Sequence, residues 1–362
     1  MKDLSFAAEL LSKLVGIQSI SGAEDEVVAY VYDLFTELGL SPERFGNSLV
    51  VRVGTGAPRL LLNSHLDTVP FGEGWHDDPL NSTWKDGRLV ARGANDAKAS
   101  AAAMIWATLQ LANEDLEGQL ILALTACEET NNSGMTRVIE EIGLPDLAIT
   151  GEPTGLEVVR SQSGLAILTA EWTGKSCHAA HVSRVEHSNA LHAAATDIAT
   201  IPSWIGLPEE HPLLGASTIA PTVLNSGTRH NVVPDVATLT FDGRLAPPYT
   251  GEDCRQLLSK MLPNANISIR SDRLRAMETA ASHPLVLAAL EASGKEGAIG
   301  SATMSDMALL QGVPSIKCGP GETSRSHTPN EWVTLDELNA GCEFYRAVVP
   351  AALAGTLAES LS

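Results

Sequence analysis

His65, Asp67, Asp96, Glu128, Glu129, Glu152 and His327 are the residues whose types and spacing could do chemistry. They lie just beyond short apolar runs, in LLLNSHLD, RGANDAK, LILALTACEET, LAITGEP and SRSHTPNE. Two imidazoles with three or four carboxylates form a donor set for two zinc-like cations with a position left open for water. That combination is the equipment of a two-metal hydrolase.

Each piece is weak alone. His65 and Asp67 are two apart at a strand end, so both side chains point the same way. A metal-bound imidazole usually gives its other N–H to a carboxylate, a part open to Asp67; HxD by itself is more often a polar strand end. Glu128 and Glu129 are adjacent and project differently, so that one can bind metal while the other faces substrate as a base. The commoner fate of such a pair is a solvated turn, which the preceding LILALTAC makes less fitting here. Asp96 precedes a helix and has capping as its alternative. His178 and His181, in GKSCHAAH, fall in a different part of the chain and make poor ligands to the same site in one subunit. TGKS at 173–176 resembles the end of a P-loop, but Thr169 stands where the first glycine is required, which excludes nucleotide binding on this motif.

The elements that must position these residues follow from the apolar pattern. Leu60–Leu62, Leu120–Leu124 and Leu147–Ile149 are apolar on both faces and predict buried parallel strands. In an open α/β sheet the ligand crevice lies at the carboxyl ends of such strands, which would gather side chains scattered over the sequence. Helices are expected near 3–16, over Ala23–Leu38 and over Lys98–Leu111, the last buried and starting just after Asp96; Ser48–Val53 is a strand. After Glu152 the texture changes to strand Ala166–Trp172, helix Asn189–Ile201, strands Ser217–Leu224 and Val236–Leu245, helix Gly251–Leu262 and strand Asn266–Arg270. This β-α-β-β-α-β order predicts a ferredoxin-like α+β insertion. The α/β texture resumes with strand Pro314–Cys318 and a closing helix Leu335–Leu353. The expected division is 1–162 and 277–362 for one α/β domain with a mostly parallel sheet and 163–276 for the insertion, with hinges near 160–165 and 274–280.

At 362 residues and 44% hydrophobic content, the chain suits two domains with sizeable cores. The net charge of −20, with no basic cluster, argues against nucleic acid as a partner. No apolar run is long enough for a bilayer, and MKDLSFAAELLSKLVGIQSI reads as an amphipathic helix rather than a signal peptide. Five widely spaced cysteines without CxxC point to reduced thiols and a cytoplasmic location.

SHLDTVP, RGANDAKAS, ACEET, GEPT, GKSCHAAH, GTRHNVVPD, DGR, SATMSD and GPGETSRSHT occur in an order and spacing that resembles the M20 family of dinuclear zinc amidohydrolases. Within it the chain is most similar to the branch of acetylornithine deacetylase and succinyl-diaminopimelate desuccinylase. The resemblance implies a zinc-peptidase-like catalytic domain with an inserted lid and dimerisation domain. It implies two Zn2+, with Co2+ or Mn2+ as alternatives: His65 and Glu152 on one ion, Glu129 and His327 on the other, and Asp96 bridging. It further implies Glu128 as general base, Asp67 behind His65, and a cis peptide after Asp96. In the lid it implies His178 reaching the partner subunit's site in a homodimer, Asn231 near the scissile carbonyl, and Arg244 on the substrate's α-carboxylate. The implied reaction is hydrolysis of N2-acetyl-L-ornithine to ornithine and acetate in arginine biosynthesis. Desuccinylase and di- or tripeptidase activities are the alternatives, followed by a non-catalytic metal-binding protein, which would have no need of Glu128. Asn95 and Cys177 depart from the family's usual residues without altering a ligand.

Overall fold

The computed structural model of the protein describes residues 2–360. The chain forms two compact units, one comprising the chain up to Arg160, Glu278–Ile299 and the chain from Ser305, the other Ser161–Met277 with Gly300–Met304.

In the larger unit the strand Arg59–His65 lies between Gln119–Thr125 and Leu147–Thr150 and is parallel to both, with Leu60 opposite Leu120 and Leu147. Ser315–Lys317 continues the parallel set beside Leu147–Thr150. Ser48–Gly54 runs antiparallel to Gln119–Thr125 and begins the sheet's other side. Burial on both faces explains the unbroken apolar runs expected to form parallel strands: Leu60, Leu61, Leu62, Leu120, Ile121 and Leu147 are fully enclosed.

The helix Lys98–Leu111 occupies the predicted span, and nearly all of its residues are buried. Its alanines allow close approach of the helices Leu4–Val15 and Leu335–Ser360, which pack against it. Leu4–Val15 buries Ala7, Leu10, Leu11, Leu14 and Val15, a single apolar stripe. The closing helix runs beyond Leu353 to Ser360 and contains Pro350. Two helices unassigned from sequence also belong to this unit: Ser133–Ile142, which packs on Ser48–Gly54 and Gln119–Thr125, and Pro284–Ser293, which packs on the closing helix. None of the described helices is long and apolar enough to cross a membrane.

The smaller unit is a five-stranded antiparallel sheet in the order Ile205–His211, Gly215–Ser226, Val236–Leu245, Gly164–Thr173, Asn266–Leu274. The helices Ala190–Ile198 and Gly251–Met261 pack against it over a core that includes Leu168, Trp172, Phe241 and Leu258. The Trp172 indole N–H donates to Asp197 at 2.8 Å, so the largest core side chain leaves no buried donor unmet. Thr250 and Asp253 form a reciprocal capping box that starts the second helix.

The expected β-α-β-β-α-β order is corrected here to one with an extra strand, Ile205–His211, at the sheet edge. Pro208, Glu209 and Glu210 conceal it in sequence, because an edge strand tolerates proline and charge that a central strand does not.

Candidate metal centre

Four parallel strands deliver the candidate residues. His65 ends Arg59–His65, Glu128 and Glu129 follow Gln119–Thr125, Glu152 lies two residues beyond Leu147–Thr150, and His327 is in the segment after Ser315–Lys317. Asp96 comes from the turn that opens the helix Lys98–Leu111, where the peptide Asp96–Ala97 is cis. The carboxyl ends of the strands are thus the meeting place.

Asp96 stands between the two imidazoles. Its Oδ1 is 3.3 Å from His65 Nε2 and its Oδ2 3.6 Å from His327 Nε2. His327 Nε2 is also 2.8 Å from Glu129 Oε2. Donor atoms of His65, Asp96 and Glu129 all fall within 4.8 Å of one another, a grouping that can hold a metal ion. His327 adopts φ 61°, a left-handed conformation that turns the chain sharply at this residue.

Asp67 is fully buried and does more than back a histidine. His65 Nδ1 lies 2.9 Å from the backbone oxygen of Asp67 and 3.6 Å from its Oδ1, so the closer partner is the carbonyl. The carboxylate also accepts the backbone N–H groups of Glu128 at 3.1 Å and Glu129 at 3.2 Å, and the Ser21 hydroxyl at 2.6 Å.

Burial and the neighbouring charges together shift the protonation of the site. Burial, followed by the charge of Glu152, pushes the Glu128 carboxyl well above the usual range. Burial and the charge of Asp96 push Glu152 up to about 8. Burial alone would lower His65, but Asp67, Asp96 and Glu128 together raise it well above an ordinary imidazole. The hydrogen bond to Glu129 raises His327. Burial opposes the ionisation of Asp96, yet His65 outweighs it and the net direction is down.

Several residues here were missed from sequence. Asp306, buried, accepts from Thr125 at 2.8 Å and Asn132 at 3.0 Å, and its charge is felt by Glu128. Lys317, also buried, places an ammonium near Glu152, Glu128 and Asp96. A lysine within a short buried strand was the available signal, since lysine is almost never enclosed without a partner. Glu331 is 1% exposed and accepts the backbone N–H groups of both Asn95 and Asp96.

The residues fit cations. Two imidazoles face opposite oxygens of one carboxylate, which is a bridging arrangement, and Glu129 stands against one of those imidazoles. Oxygen and nitrogen donors without thiolate suit a zinc-like ion in a hydrolytic setting.

The remaining candidates belong to the smaller unit. His178 and Val232 form a β-bridge, the Ala179 N–H donates to the Asn231 oxygen at 2.9 Å, and His178 and Asn231 are therefore neighbours, both exposed. His178 Nδ1 accepts from the Ala180 N–H at 3.1 Å. Arg244 is exposed and pairs with Asp242 through two bonds of 2.7 and 3.2 Å.

The family model of Peptidase family M20/M25/M40 matches residues 61–351. The chain belongs to this family. Among the relatives of this M20 hydrolase, acetylornithine deacetylase of Proteus mirabilis (strain HI4320) is 27% identical over 355 residues, covering 90% of this chain and 92% of that one. Acetylornithine deacetylase of Myxococcus xanthus is 30% identical over 318 residues, covering 81% and 80%. Of solved structures, aminopeptidase PepT from Bacillus cereus superposes with a TM-score of 0.76 at 21% identity, covering 97% of this chain and 99% of that one. The Bacillus subtilis YXEP protein, described as a dinuclear metal-binding peptidase of the M20 family, gives 0.76 at 14% identity with the same coverage. At these identities the two structures speak for the fold: an M20 hydrolase fold with a mostly parallel sheet and a separate antiparallel unit.

Proposed function

We propose that this M20 hydrolase removes the acyl group of an N-acyl amino acid, with N2-acetyl-L-ornithine as substrate and ornithine and acetate as products. The observation that carries the hydrolytic reading is the Glu128–Glu129 turn: Glu129 turns to His327 at 2.8 Å, while Glu128, half-buried, is left beside the candidate ligands and feels the charges of Glu152 and His65. The family's relatives named acetylornithine deacetylase, similar over most of the chain, support the acetyl substrate.

In this reading His65 and Glu152 would hold one zinc ion and Glu129 and His327 the other, with Asp96 shared between them; Co2+ or Mn2+ could replace zinc. Such ions supply a water of lowered pKa and stabilise negative charge on the scissile carbonyl oxygen. Glu128 takes a proton from the attacking water and returns it to the leaving nitrogen, which cannot depart as an amine anion. Asp67 keeps His65 and the Glu128–Glu129 turn in register through its backbone oxygen and its carboxylate.

The smaller unit is proposed to act as lid and dimerisation domain. Ile205–His211 covers only the first part of the strand Gly215–Ser226, so residues 220–226 pair with Val236–Leu245 on one side alone, and Val223 and Leu224 are half exposed there. An edge of this kind supports pairing with a second copy. His178 and Asn231 then serve the partner subunit's scissile carbonyl, and Arg244 receives the substrate carboxylate in competition with Asp242. The odd, widely spaced cysteines support the cytoplasm as the location, and the product places the enzyme in arginine biosynthesis.

Release of free amine from N2-acetyl-L-ornithine, N-succinyl-L-ornithine and N-succinyl-diaminopimelate by the zinc-loaded protein tests the substrate. Preference for the acetyl compound supports the reading; preference for a succinyl compound overturns it in favour of desuccinylase.

A further inference from the structure

Two segments of the larger unit, 91–96 and 322–331, carry Asp96 and His327 respectively, and two buried side chains tie them together in opposite directions. Glu331 reaches from the second segment to the first: its Oε1 accepts the N–H of Asn95 at 2.9 Å and of Asp96 at 2.8 Å, and its Oε2 accepts from Arg92 Nη1 at 2.7 Å. Asn95 reaches back. Its Oδ1 accepts the Glu322 N–H at 2.8 Å, and its Nδ2 donates to the Glu322 oxygen at 3.1 Å and to Ser326 Oγ at 3.3 Å. Asn95 is wholly buried, and Glu331 and Arg92 nearly so.

The surroundings are shaped to this exchange. A Cβ added at Gly321, which has φ 86°, would lie 2.3 Å from Asn95 Oδ1, so the carboxamide seats only against a glycine. Arg92 is itself fixed by donating to the Phe71 oxygen at 3.0 Å and lies over the Trp75 ring at 5.1 Å. Arg325, two residues before His327, stacks on Trp332 at 3.5 Å and pairs with Glu337. A buried carboxylate satisfied by two consecutive amides and a guanidinium is costly to assemble and highly directional. Here the direction it fixes is that of the Asp96 backbone.

We propose that Asn95 and Glu331 are positioning residues that together set the separation of Asp96 from His327, and so the spacing of the two metal positions. The inference rests on the reading of Asp96 and His327 as ligands. Neither Asn95 nor Glu331 touches substrate or metal in this account; each acts through the backbone of a ligand-bearing segment. Outer partners of this kind typically contribute about 10- to 100-fold in metal affinity or activity.

The test titrates the metal-free protein and its Asn95→Ala, Glu331→Gln, Glu331→Ala and Asp96→Asn variants with Co2+ against a chromophoric chelator. The visible spectrum of bound Co2+ and the thermal midpoint of the metal-free form are recorded alongside. Asn95→Ala and Glu331→Ala are expected to weaken Co2+ binding about 10- to 100-fold and to alter the Co2+ spectrum. Glu331→Gln, whose carbonyl oxygen can still accept both amides while its NH2 group opposes Arg92, should recover part of both. Unchanged affinity and spectrum in Asn95→Ala and Glu331→Gln, with only a lower thermal midpoint, would reduce these residues to structural supports and overturn the proposal. If Glu331→Ala does not fold, Asn95→Ala and Glu331→Gln decide the matter. Asp96→Asn separates the two levels: if it binds Co2+ as tightly as the unaltered protein, the ligand reading fails; if it alone loses binding, only the positioning role fails.

Discussion

The carboxylate of Asp67 accepts the backbone N–H of Glu128 at 3.1 Å, linking the residue behind one candidate ligand to the candidate base. Its other oxygen takes the Glu129 N–H and the Ser21 hydroxyl, so one buried side chain orders the whole acidic turn. Asp67→Asn keeps the shape but presents an NH2 group toward at least one of these donors. The expected result is a loss of about 10- to 100-fold in kcat with a smaller loss of metal affinity, measured by steady-state kinetics and metal titration. An unchanged kcat would show that the turn holds itself.

Protonation and metal binding should compete over a defined range. Glu152 holds its proton up to about pH 8 in the metal-free fold, against about 4.3 for an unperturbed glutamate. Between these values the folded state binds the extra proton, so the metal-free protein loses stability as pH rises. Glu128, His65 and His327, all raised, act in the same direction. Lys98, lowered to about 7 by burial, opposes the trend only above that pH. Thermal midpoints of chelated protein should therefore fall from about pH 5 to 7, and zinc should restore them. Calorimetric zinc titrations in buffers of different ionisation enthalpy should show proton release near neutrality. Binding without proton release would contradict the charge arrangement described for the site.

A site shared between subunits makes a separate prediction. His178→Ala should lower kcat while leaving metal content intact, because His178 belongs to the smaller unit and binds no metal in this account. Mixed dimers of His178→Ala with Glu128→Ala should regain activity, since one of their two sites would then receive both intact residues. Heterodimers shown to form but lacking that recovery would contradict the trans assignment.

Much of the frame was legible because it depends on local pattern. The run Leu60–Leu62 is apolar at every position since both sheet faces are covered, and Lys98–Leu111 has neither glycine nor proline to interrupt it. Those elements fix where the strands end, and the ends are where His65, Glu129 and Glu152 stand. What stayed hidden depends on contacts across the chain. The spacing of His65 and Asp67 suggested that the carboxylate serves its neighbour, whereas its shorter bonds go to amides 61 and 62 positions away. Glu331 gains its meaning from Asn95 and Asp96, 236 and 235 positions distant. Edge strand Ile205–His211 escaped notice because Pro208 and two glutamates are acceptable on a strand with one free side.

The most direct test of the central claim is a paired measurement on Glu128→Ala: bound zinc per chain, and amine release from N2-acetyl-L-ornithine under the same loading. The account predicts two equivalents of zinc, as in the unaltered protein, with turnover reduced by at least about 10²- to 10⁴-fold. Turnover near that of the unaltered protein would remove Glu128 as the proton carrier, and loss of zinc together with turnover would make it a ligand instead.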